Sequence, residues 1–163
     1  MVANGQSVDP FIVVSEQDPS NTSLQAEISA AYSPVALQLS AHRSLHMPCR
    51  LAAQIGHAPN GQASAGILQW VTVRTCFELV EAEERRRMAN YDWVVRMRTD
   101  LVLLKPLNLP QTTDTVYVPG GGMSARSWLR CSNDHLFICP RALCTPYATL
   151  LNNFNTSNCT PLE

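Results

Sequence analysis

The sequence predicts a single α/β domain, and three observations carry that expectation. An amphipathic segment from Ile67 onward runs through Ala89-Asn90 straight into an apolar, β-prone stretch at Tyr91–Met97. A helix that packs on a sheet and then enters it is the second half of a βαβ unit. Short continuous apolar runs at Pro10–Val14 and Leu136–Cys139 read as further strands buried on both faces. At 163 residues the chain suits one domain with a real core. We therefore expect one domain over 1–163, frayed at 1–9 and 152–163, with 40–66 as a variable connection.

Charge narrows the classes of partner. Lys plus Arg number 12 and Asp plus Glu 13, a formal net charge of −1, which gives no footing for a polyanion-binding surface. The one basic cluster, Arg85-Arg86-Arg87, follows Glu81, Glu83 and Glu84 and reads as a solvated helix face with local ion pairs. Nucleic acid is thus not an expected partner. No apolar run approaches the ~20 residues of a membrane span, and Met1 to Pro10 lacks the basic-then-apolar pattern of a signal peptide.

In chain order, the Pro10–Val14 strand leaves through a loop at 15–22. Leu24–Tyr32 has helical composition, with Leu24, Ile28 and Ala31 on one side and Pro34 as its stop. Val35–Leu39 suits a short strand. From Ser40 to Ser64, prolines, glycines and histidines interrupt every period. In the long helix Trp70, Val73, Cys76 or Phe77, and Val80 recur at helical spacing, with Arg74, Glu78, Glu81 and Arg85 opposite. After the Tyr91–Met97 strand, Lys105-Pro106 and Pro110 turn the chain away. Thr115–Pro119 is the next expected strand, and Gly120-Gly121-Gly122 suits a flexible lid or an acceptor-side loop. Pro140 is expected to start a helix through Leu151.

The chemistry concentrates in Tyr91–Asp100. Side chains alternate across a strand, so in an extended run Asp92, Val94, Arg96, Arg98 and Asp100 share one face and Trp93, Val95 and Met97 the other. The second face is expected to be core and the first ionic. Burying a guanidinium costs several kcal/mol unless a carboxylate or phosphate compensates. Either an internal Arg–Asp network locks the strand, or an anionic ligand docks at its carboxyl end, where open α/β sheets bind ligands. Asp134 and His135, just before the Leu136–Cys139 strand, offer a general base, or Asp134 caps a turn.

The six cysteines contain no CxxC pair, so their spacing is not a zinc framework. His42, His46 and Cys49 could share a helical face, but a fourth ligand at fixed spacing is missing and surface histidines are the plainer account. Sequons at Asn21, Asn155 and Asn158 suit a secretory or Golgi lumen, where disulfides form, with Cys131, Cys144 and Cys159 as candidates.

The order of a long helix, Tyr91-Asp92-Trp93-Val94-Val95-Arg96-Met97-Arg98-Thr99-Asp100, then Val116–Pro119, then Asn133-Asp134-His135-Leu136-Phe137 resembles the GT-A-like nucleotide-sugar glycosyltransferases. More narrowly it is similar to an uncharacterised group marked by a YD-x-V-x-R-x-R-x-D strand. The resemblance spans about Pro10 to Tyr147, and its specific motifs are Tyr91–Asp100 and Asn133–Phe137. It implies a Rossmann-like domain with a mixed, mainly parallel sheet. It also implies an Mn²⁺ or Mg²⁺ held by Asp100, a hard oxygen ligand, to neutralise the departing diphosphate. Arg96 and Arg98 would bind the donor diphosphate or hold Asp100 in place. Asp134 would be the acceptor base or an acceptor-binding residue, with Asp100 beside it in the catalytic set.

Two departures from that pattern stand out. Arg98-Thr99-Asp100 replaces the usual D-x-D, putting a cation where one ligand is expected. The chain also starts at what looks like the fold's second strand, so the first strand is expected to be missing. The implied activity is sugar transfer from a nucleotide-diphosphate donor to a glycan or other hydroxyl acceptor. The alternative is a non-catalytic, truncated relative that binds carbohydrate or a partner, and a ligand-free scaffold is a third reading.

Overall fold

A computed structural model describes residues 7–16, 18–41, 65–99, 101, 103–118 and 136–149. The chain is mixed α/β and forms two compact units, Asp9–Arg87 with Tyr147–Glu163, and Met1–Val8 with Met88–Pro146.

The first unit opens with β1, Phe11–Glu16, followed by α1, Thr22–Tyr32, and β2, Ala36–Ala41. β1 and β2 pair in parallel from Phe11 opposite Ala36 to Glu16 opposite Ala41. A parallel pair needs a crossover, and α1 supplies it. The helix starts at Thr22, two residues earlier than its apolar spacing suggests, because the Asn21 side chain accepts the Leu24 N–H at 3.0 Å. Ser33 ends it in the left-handed region, its N–H bonding the Ser29 carbonyl at 2.9 Å.

The long helix α2, Ala65–Arg87, lies against β1. The Cys76 thiol reaches the Phe11 carbonyl at 3.5 Å, and the Ser15 and Thr72 hydroxyls are 3.5 Å apart. Phe77 and Val80 are buried at helical spacing, as expected. Its ion pairs are local: Arg74 with Glu78 at 2.8 Å and Arg86 with Glu83 at 2.6 Å. Arg87 reaches Asp9 at 3.4 Å. Three arginines in the last turn also complement the negative end of the helix dipole. The helix stops at Met88, whose φ is 51°. Trp70 and Tyr147 meet edge to face, with ring centroids 5.1 Å apart.

The second unit is built on β3, Trp93–Met97, and β4, Leu136–Pro140, paired antiparallel from Trp93 opposite Pro140 to Met97 opposite Leu136. The sheet expectation is thus met only in class: the described strands form one parallel and one antiparallel pair rather than a mainly parallel sheet. The strand expected at Thr115–Pro119 reduces to one bridge, Tyr117 with Ile138, made by backbone bonds of 2.8 and 2.9 Å.

Pro140 closes β4 instead of opening a long helix. Its backbone is extended (φ −56°, ψ 135°), and the next N–H, that of Arg141, bonds the Asp92 carbonyl at 3.0 Å. A 3₁₀ turn at Arg141–Leu143 and the one-turn helix α3, Thr145–Ala148, follow. Cys139 and Cys144, both fully buried, are joined by a disulfide with Cα atoms 5.6 Å apart. Closing so short a loop restricts the unfolded chain by roughly 2 kcal/mol on the chain-entropy account. Of the three cysteines expected in disulfides, Cys144 is paired, and its partner is a fourth, Cys139. Cys131 and Cys159 lie outside the described residues, as do 42–64 of the expected connection and most of the expected frayed ends. At the two edges of that connection, β2 runs on to Ala41 and α2 begins at Ala65.

Candidate anion site on strand β3

β3 stops at Met97, and the Leu101 N–H bonds the Arg98 carbonyl at 3.2 Å, closing a turn just beyond the strand. Of the residues expected to form the site, Arg96 and Arg98 are described, while Asp100 and Asp134 lie outside the described residues. The same holds for His135, Gly120–Gly122, His42, His46 and Cys49.

The faces of β3 do not divide cleanly as expected: Trp93 is half-buried and Asp92 exposed, in line with expectation, but the later residues are not. Val95 is 40% and Met97 48% exposed, whereas Val94, Arg96 and Arg98 are all half-buried. Directly opposite residues of an antiparallel pair share a face, so Arg96 stands beside Phe137 and Val94 beside Cys139. Phe137 and Cys139 are buried, and so are Ile138 and Pro140 opposite Val95 and Trp93, so β4 is covered on both faces and Arg96 lies against a buried aromatic position. Alternation alone fixes which residues share a side, not which side the rest of the chain covers.

Arg96 is the informative residue. Its Nη1 is buried and has no hydrogen-bond partner among the described residues. A buried donor left unpaired costs about 1–3 kcal/mol, and more for a charged group. Arg98 differs, since it is engaged by a neighbour. Among the described residues, Arg96 Nη1 is thus a buried donor left over.

The metal expectation rests on Asp100, which lies outside the described residues; among the described residues no group of three or more His, Cys, Asp or Glu comes together. One buried carboxylate escaped the sequence reading. Glu84, expected on a solvated face, is buried on the same stripe of α2 as Phe77 and Val80. Its positions, seven after Phe77 and four after Val80, carried that signal.

Together these features define an α/β chain with a cationic, half-enclosed strand and, among the described residues, no helix long and apolar enough to cross a membrane. No family model matches the chain, and neither a curated protein nor a solved structure matches it.

Proposed function

We propose that this chain is a GT-A-like glycosyltransferase, moving a sugar from a nucleotide-diphosphate donor to an acceptor hydroxyl. The observation that carries the reading is the buried Arg96 Nη1 on β3, which has no hydrogen-bond partner among the described residues. A guanidinium fork matches phosphate oxygens in bidentate fashion, and a diphosphate brings charge and acceptors to a donor that otherwise has neither. Arg98, two residues on along the same face, adds positive charge where the leaving diphosphate gains negative charge.

In the proposed reaction the acceptor oxygen bonds to the anomeric carbon as the bond from that carbon to the diphosphate breaks. The acceptor proton passes to Asp134, and Arg96 and Arg98 hold the departing anion. Asp100 is assigned to the diphosphate or to an Mn²⁺ or Mg²⁺ beside it.

The test is calorimetry with a panel of uridine and guanosine diphosphate sugars, with and without Mn²⁺, on the wild type and on Arg96→Ala. Nucleotide-dependent heat that disappears in the variant is expected. No such heat in the wild type would overturn the reading and leave a carbohydrate-binding or interaction module. Asp100→Asn should abolish sugar transfer while unfolding stays cooperative, and undiminished activity in that variant removes the residue from the mechanism.

A further inference from the structure

The Asn21-Thr22-Ser23 sequon lies at the start of α1, with Asn21 half-buried as its N-cap, and is not used by the transfer reaction. The Asn21 N–H bonds the Asp18 carbonyl at 3.1 Å, and Asp18 in turn accepts from the Ser20 N–H at 2.9 Å, so the turn is ordered ahead of α1. The Asn21 carboxamide caps that helix through its oxygen, which accepts the Leu24 N–H. The cap therefore orients the carboxamide while keeping its nitrogen, Nδ2, out of the bond. Thr22 and Ser23 are exposed, and α1 has no buried residue, so a bulky group on Asn21 meets no packed surface on its own helix.

A separate observation addresses the compartment. The Cys139–Cys144 disulfide belongs to the other unit, and disulfides persist in oxidising lumens and outside cells. Chains bound for those spaces pass through the lumen in which sequons are glycosylated. From the carboxamide nitrogen left out of the cap bond, the exposed Thr22 and Ser23, and the disulfide, we infer that Asn21 carries an N-linked glycan. The donor is a lipid-pyrophosphate-linked oligosaccharide. Asn21 Nδ2 bonds to the anomeric carbon, the bond from that carbon to the pyrophosphate breaks with its electron pair leaving on the lipid pyrophosphate, and the Nδ2 proton passes to a base of the transferring enzyme. This inference does not depend on the chain's own activity.

The experiment is peptide mapping of the full chain isolated from the cells that make it, after release of N-glycans by an amidase in ¹⁸O-labelled water. The expected result is residue 21 recovered as labelled Asp. An unmodified, unlabelled Asn21 peptide overturns the inference. Thr22→Pro separates the sugar from the fold, because proline is well tolerated at the first position of a helix yet disqualifies a sequon. That variant should lose the label completely at residue 21 and keep the wild-type unfolding midpoint. Label persisting at residue 21 in Thr22→Pro would equally overturn the assignment, since it would come from deamidation and not from a glycan.

Discussion

Arg96 stands directly across the β3–β4 pair from Phe137, and its Nη1 is buried without a hydrogen-bond partner among the described residues. Internal ion pairs are broken at a cost when one member is removed, but a buried donor atom without a partner imposes a cost by being there. Arg96→Met keeps the length and apolar stem of the side chain while removing the charge. Its expected unfolding free energy is unchanged or higher by about 1 kcal/mol, and its affinity for nucleoside diphosphate falls at least roughly tenfold, as loss of a charge-assisted contact implies. Urea unfolding and calorimetry on the same preparation check both. A variant destabilised by several kcal/mol would mean that Arg96 is a structural member of a network.

Phe77 is only 5% exposed on the inner stripe of α2, and Glu78 beside it is exposed. Phe77→Ala should cost about 3–5 kcal/mol through lost transfer energy and the cavity left behind. Glu78→Ala removes an exposed i,i+4 pair with Arg74 and should cost about 0.3–0.5 kcal/mol. Urea midpoints compared at equal m-values measure the contrast, and similar losses at the two positions would contradict the orientation of the helix.

That orientation was readable in the sequence, because apolar residues three and four apart mark one side of a helix without knowledge of anything distant. β1 and β4 were readable for a similar reason, as short apolar runs between breakers. What was not readable was pairing. Whether Leu136–Pro140 runs with or against β3, and whether Thr115–Pro119 finds a partner beyond Ile138, depends on contacts far apart in the chain. Pro140 was ambiguous for a local reason, since a residue without an N–H suits the first turn of a helix and the end of a strand alike. For the site, the presence of Arg96 and Arg98 on one face was legible. That Arg96 Nη1 would be buried without a partner among the described residues was not.

Glu83 accepts two bonds from the Arg86 guanidinium, at 2.7 and 2.6 Å, and the first effect of that partner is to hold its carboxyl below the usual glutamate range. A carboxyl with a depressed folded-state pKa adds stability that is complete above its unfolded value, about 4.3, and is lost as pH falls through the folded value. Wild type and Glu83→Gln should therefore differ most near neutral pH and converge in acid. Thermal midpoints of both proteins measured from neutral to strongly acidic pH test the sign. The gap should also narrow in high salt, because the Arg86 end of the pair is exposed, and a gap that widens on acidification would refute the assignment.

Met88 ends α2 with φ at 51°, in the left-handed region, and its side chain is 92% exposed. For a residue with a Cβ this conformation costs about 1–2 kcal/mol, while glycine adopts it without that penalty. Glycine's greater freedom in the unfolded chain offsets part of the gain, about 0.5–1 kcal/mol. Met88→Gly should therefore stabilise the protein by about 0.5–1 kcal/mol, the difference between those two effects. Met88→Ala keeps the Cβ and gives up only an exposed side chain, so it should leave the unfolding midpoint where it is. If alanine stabilised as much as glycine, the gain would come from removing an exposed thioether, and backbone conformation would not be what halts the helix at that position.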